Sequence, residues 1–182
     1  MDGEAIDPGE RFALVVDGND PDSDPREIAR RLVTAVPRFS HLKLGEALVM
    51  FLYRAEPKLK QGRRQLGSLC LPRFMGPLGE VANWLLVKAV GGEVPDYLMI
   101  LDRPWWEGAT PVAREALIYH ELCHSSHEVD KDGDLKFTDD GRPVFGIQGH
   151  DIEEFADVVR AYGAWLPDVQ SFIDAARAGG VA

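Results

Sequence analysis

The stretch from Thr110 to His124 constrains the fold most, because it carries a helix-start signal and then runs without a breaker. Thr110 is a good N-cap, and Pro111 suits the first helical position, where its missing N–H costs nothing. The segment leads into His120-Glu121-Leu122-Cys123-His124, the pattern H-E-x-x-H. On a helical wheel Ala113, Leu117, His120 and His124 form one stripe, while Ile118 and Leu122 point the other way. A helix apolar on two sides is expected to be buried, with two histidines on an inner stripe that need partners for their ring nitrogens.

Four residues apart on a helix, two imidazoles share one face and can grip a tetrahedral Zn²⁺ between them. Glu121 then stands beside the open position of the metal. There it can take a proton from water and later give it to a leaving amine. His120 and His124 are therefore candidate metal ligands, and Glu121 is the candidate catalytic residue. The competing reading is a pair of core histidines satisfied by backbone or carboxylate groups. The pattern in this helical context favours the metal. Cys123 occupies an x position, where a small thiol is packing.

At 182 residues, with 45% hydrophobic and 27% charged residues, the chain can bury a full core. No apolar run reaches about 18 residues, and the acidic N-terminus has no signal peptide, so the expectation is a cytoplasmic protein without a membrane span. Cys70 and Cys123 make no disulfide framework. Net charge is −10, which argues against a general nucleic-acid binder. Residues 25–73 reverse the sign, and the basic run Lys58-Leu59-Lys60-Gln61-Gly62-Arg63-Arg64 sits there. It has no aromatic residue for base stacking and reads as a solvated loop between strands.

The residues before Pro25 form an acidic arm (1–24), loosely ordered, with Phe12 to Val16 as a possible edge strand. From Pro25 a helical period runs through Ile28, Leu32 and Val36 and stops at Pro37. Glu46 to Tyr53, Gln65 to Leu71 and Tyr97 to Asp102 read as strands, and Leu78 to Ala89 as a helix ended by Gly91-Gly92. Leu135 to Phe137 and Pro143 to Ile147 flank Asp139-Asp140-Gly141 as a hairpin. A helix is expected from Gly149-His150 through Tyr162, and another over Asp168 to Ala178. This order predicts an α+β fold (an α/β layer), with residues 25–182 as a single domain and a small sheet packed on the motif helix.

A catalytic zinc usually takes three protein ligands. His150, reached after the hairpin, is the preferred third, with Glu154 next and Glu153 beside it. His127 lies on the same helical face as His120 but about 10 Å along the axis, too far unless the helix ends at Ser125-Ser126. The loop Asp130-Lys131-Asp132-Gly133-Asp134 fails as a calcium loop, because Gly141 stands where the closing Glu is required.

His120-Glu121-Leu122-Cys123-His124, followed by Gly149-His150-Asp151-Ile152-Glu153-Glu154-Phe155 and Tyr162-Gly163-Ala164-Trp165, resembles the phage metallopeptidases, relatives of the SprT-like zincins. Tyr97 to Asp102 followed by Trp105-Trp106 is similar to that family's layout, and the resemblance covers about residues 25–170. It implies a zincin-like fold, with His120 and His124 as zinc ligands, Glu121 as general acid/base and His150 as third ligand.

The reading is thus a zinc-dependent metallopeptidase acting on peptide or protein substrates. Tyr162 or His127 could assist the oxyanion, Asp151 could orient a ligand imidazole, and the strand Tyr97 to Asp102 could hold an extended peptide. Three alternatives stand beside it. One is a non-catalytic protein stabilised by the metal; another is a nucleic-acid-associated protein using the basic stretch 54–73; the third is a different hydrolase, such as an amidase, on the same metal site.

Overall fold

The computed structural model describes residues 11–16, 20–72, 74, 76, 78–90, 92, 94–139, 141–152 and 156–179. The chain forms two compact units, Met1–Gln148 and Gly149–Ala182. Its fold class is α+β, as expected.

The first unit is built on a mixed four-stranded sheet. Its strands are β1 (Phe12–Leu14), β2 (Val49–Arg54), β5 (Gly67–Cys70) and β6 (Tyr97–Asp102), in the order β1-β2-β6-β5. β1 runs antiparallel to β2, β2 parallel to β6, and β6 antiparallel to β5. In β6 the side chains of Tyr97, Met99 and Leu101 alternate into the core and are fully buried, while Leu98 and Ile100 are half-buried. β6 has the bounds read from the sequence. It has a neighbour on both sides, so it cannot take the added peptide strand suggested for it; β5 ends the sheet instead.

α1 (Pro25–Ala35) begins where Asp24 accepts a hydrogen bond from the Arg26 N–H at 2.9 Å, and it stops before Pro37. It buries Ile28, Ala29 and Leu32, packing beside the motif helix α5 (Pro111–Cys123). A 3₁₀ turn (Pro37–Phe39) and α2 (Ser40–Leu44) add Phe39 and Leu42 to the same core. At the end of β6, Asp102 caps α4 (Arg103–Gly108) through the Trp105 N–H, and Trp106 turns inward.

The basic run is not the loop expected. Lys58–Lys60 (β3) pairs with Arg63–Gln65 (β4) as a hairpin. Gln61 and Gly62 both have positive φ, 51° and 76°, which matches a two-residue turn that follows strand twist. Arg64 is not merely solvated: it grips the buried Asp102 with two hydrogen bonds of 2.7 and 2.8 Å. The buried Arg54 donates to the Gln65 carbonyl at 2.6 Å and lies 3.7 Å from Asp102. The hairpin is thereby clamped to the end of the sheet.

α3 (Gly79–Val90) is the helix expected there, yet Leu78, Val81, Trp84 and Leu85 are exposed, so its apolar period does not mark a buried face. β7 (Ser125–His127) follows the motif helix at once and pairs antiparallel with β8 (Phe145–Ile147). The expected hairpin partner Leu135 to Phe137 is reduced to isolated bridges, Val129 to Leu135 and Phe137 to Pro143. The chain therefore folds as a short meander, with Gly141 turning at φ 82°. Among the described residues no helix is long and apolar enough to cross a membrane.

The second unit holds α6 (Ala156–Tyr162) and α7 (Pro167–Ala178), separated by Gly163 at φ 70°. Gly149 to Ile152 are not helical, contrary to the expectation that a helix opens there.

Candidate metal centre

The helix carrying the motif starts as its sequence dictates. Thr110 accepts from the Ala113 N–H at 3.2 Å, and Pro111 occupies the first turn. A cap of this type is worth about 1 kcal/mol. The faces, however, differ from the wheel reading. Ile118, Glu121, Leu122 and then Ser125 turn into the core, whereas His120 is exposed and His124 half-buried. One apolar stripe packs, and the histidine stripe is left on the open side. A catalytic metal needs that arrangement, because a fully buried imidazole pair would leave no path for a substrate.

The helix ends without a glycine, and each of its last carbonyls finds a specific donor. The His124 N–H returns to Glu121 O, and the Ser125 hydroxyl donates to Leu122 O at 2.7 Å. The Gln148 side-chain amide donates to Cys123 O at 2.6 Å, and the Gln148 N–H donates to His124 O at 2.9 Å. In return, the Gln148 carbonyl accepts from the Nδ1 of His124 at 2.9 Å. A carbonyl cannot donate, so the proton in that bond sits on Nδ1, and Nε2 is the nitrogen that the neutral ring would offer to a metal. The orienting acceptor of His124 is thus a backbone carbonyl rather than Asp151, which is exposed.

The ring centroids of His120 and His124 lie 5.2 Å apart at 84°. His150 follows two residues after the tethered Gln148, on extended chain rather than at a helix start. One ring nitrogen from each of His120, His124 and His150 lies within 4.8 Å of the others, so the three could hold a metal ion. Among the described residues this is the one such group, and His127 is not in it. The helix does end before Ser125, but His127 Nε2 is engaged with Lys136 O at 2.6 Å and its ring packs on Phe137. Glu153 and Glu154 lie outside the described residues. Tyr162 is exposed on α6.

Glu121, in contrast to the histidines, is buried beneath β5. Burial pushes its carboxyl above the ordinary range, opposed by the neighbouring His124 and by a hydrogen bond from the Leu69 backbone. Gly67 approaches closely: a β-carbon there would lie 2.6 Å from Glu121 Oε1. A glycine inside a strand signals close approach of something to the backbone, so this neighbour of the motif could have been noticed in the sequence. Gln148 gave no such signal, since its contacts use mainly the main chain.

The donor set fits a divalent cation of borderline softness. Three imidazoles converge, one of them with its second nitrogen already held by a carbonyl, as metal-ligating histidines almost always are. No curated protein and no solved structure matches the chain. A family model does, over residues 20–177: the chain belongs to the family described as putative phage metallopeptidase.

Proposed function

We propose that the protein is a zinc-dependent peptidase of zincin-like fold, with His120, His124 and His150 as zinc ligands and Glu121 as general base. The observation that carries this reading is the convergence of the three imidazoles beside a buried carboxylate from the same helical turn. Zinc supplies Lewis-acid polarisation of the scissile carbonyl and brings the pKa of water toward neutrality.

Glu121 accepts a proton at its carboxylate and passes it to the departing amine. Its burial supports that role, because a carboxyl raised toward working pH transfers protons in both directions more readily. The hydrogen bond from Leu69 and the close backbone of Gly67 hold the carboxylate in place. An extended substrate peptide adds to the sheet at β5, the terminal strand, whose residues border Glu121.

The test is metal content and peptide cleavage across variants. Glu121→Gln should keep stoichiometric zinc and lose cleavage by about 10²- to 10⁴-fold. His120→Ala and His150→Ala should lose zinc. Zinc retained in both histidine variants would overturn the assignment.

A further inference from the structure

We infer that Gln148 is a positioning residue for the metal centre, locking both the end of the motif helix and the tautomer of His124. The inference rests on the proposed metal site and adds a residue to it. It starts from the ladder between β7 and β8, whose register pairs Ser125 with Ile147, Ser126 with Gly146 and His127 with Phe145. The Glu128 N–H bonds Val144 O at 2.8 Å, while the Val144 N–H turns to Lys136 O, so that rung is made from one side only. Two steps along, Ser126 and Gly146 take the next rung of the register, and two steps further His124 stands opposite Gln148.

That last rung is half made of side chain. The Gln148 N–H reaches His124 O as a strand partner should, at 2.9 Å. The reciprocal backbone donor, the His124 N–H, is already spent on Glu121 O inside the helix. The Gln148 carbonyl is therefore left for another donor, and the His124 imidazole supplies it through Nδ1. The Gln148 side-chain amide closes the arrangement on Cys123 O. One residue thus makes three hydrogen bonds to the two last residues of the motif, and two of them persist only while β8 keeps this register.

The consequence is specific. If the side-chain amide is removed, Gln148 can lift from the helix end, and the His124 ring loses the acceptor that holds the neutral form's proton on Nδ1 and orients the ring. Gln148 is exposed, so replacing it disturbs no core packing. Two variants separate length from donation: Gln148→Ala removes the side chain, and Gln148→Met keeps its reach without a donor. In the full-length protein, zinc affinity is measured by competition with a chromogenic chelator. The His124 Nδ1–H is followed by long-range proton–nitrogen NMR, and unfolding of the metal-free protein is recorded alongside. Loss of a partner that orients a ligand typically weakens metal binding by about 10- to 100-fold. Both variants should show that loss together with loss or broadening of the Nδ1–H signal, while metal-free unfolding shifts little. A zinc affinity in Gln148→Met equal to the wild-type value overturns the inference. So does a loss of affinity with the Nδ1–H signal intact. Failure of the wild-type protein to bind zinc at all would count against the metal site itself, which keeps the two failures apart.

Discussion

Gly67 and Glu121 are in such close register that no side chain fits between them: a β-carbon on Gly67 would stand 2.6 Å from Oε1 and 2.9 Å from Cγ of the carboxylate arm. Because Cγ as well as the oxygen is in the way, the Glu121 arm or the strand backbone must move.

Gly67→Ala should therefore displace the proposed base while leaving the imidazoles in place. A misplacement of about 1 Å costs on the order of 10²-fold in rate. The expected outcome is a fall of that size in kcat with zinc affinity unchanged. Wild-type turnover in this variant would show that the contact is not positional.

If the three imidazoles hold zinc, the metal also stabilises the fold, because it joins residues from both sides of the β7–β8 meander. A ligand at about 1,000 times its Kd adds roughly 4 kcal/mol of stability. Stripping zinc with a chelator should lower the melting temperature, and adding zinc back should restore it. A melting curve indifferent to both treatments would contradict the site.

Asp102 makes a separate, acid-sensitive contribution. The hydrogen bonds from Arg64 hold its carboxyl below the usual range; burial opposes them, and the Trp105 N–H and Arg54 reinforce them. A depressed folded-state pKa means the stability is complete above the ordinary carboxylate value and is lost as pH falls through the lowered one. Asp102→Ala should destabilise the protein at neutral pH by about 3–5 kcal/mol, since it strands the buried Arg54. It should also flatten the acid limb of the stability curve. Urea unfolding at neutral and acid pH distinguishes the two effects.

Tyr53 sets the alkaline side. Burial, followed by the charge of Asp24, raises its phenol to about 12. Its contribution is complete below the ordinary tyrosine value near 10 and is lost as pH rises through about 12. Tyr53→Phe should remove a late step from the phenolate absorbance titration and make stability less steep above pH 10. An unchanged titration would refute the assignment.

The parts of the fold that were legible in sequence are those whose local signals agree. Thr110-Pro111 announces a helix and gets one; Tyr97, Met99 and Leu101 alternate with less buried neighbours and make a strand with the expected bounds. The family was legible in the motif and the elements that follow it, and the structure brings His150 near His120 and His124 although it lies outside the motif helix. What was not legible depends on competition between faces or on main-chain partners. The motif helix carries apolar residues on two sides, and the packing of α1 and β5 decides that Ile118 and Leu122 go inside. Ser125-Ser126-His127 has no alternation of apolar residues, so β7 is invisible until its partner strand is seen. Gln148 makes two of its three bonds through backbone atoms that every residue carries, and nothing in the sequence marks where its one side-chain bond would land.

The motif helix passes into β7 with no connecting residue to absorb slack beyond His124. Movement of that strand is consequently movement of the imidazole seats. Variation should be concentrated farther out, between Val129 and Pro143, where the meander can lengthen or shorten while the rungs nearest the helix stay fixed. Changes of length in that outer stretch would leave the imidazole seats where they are.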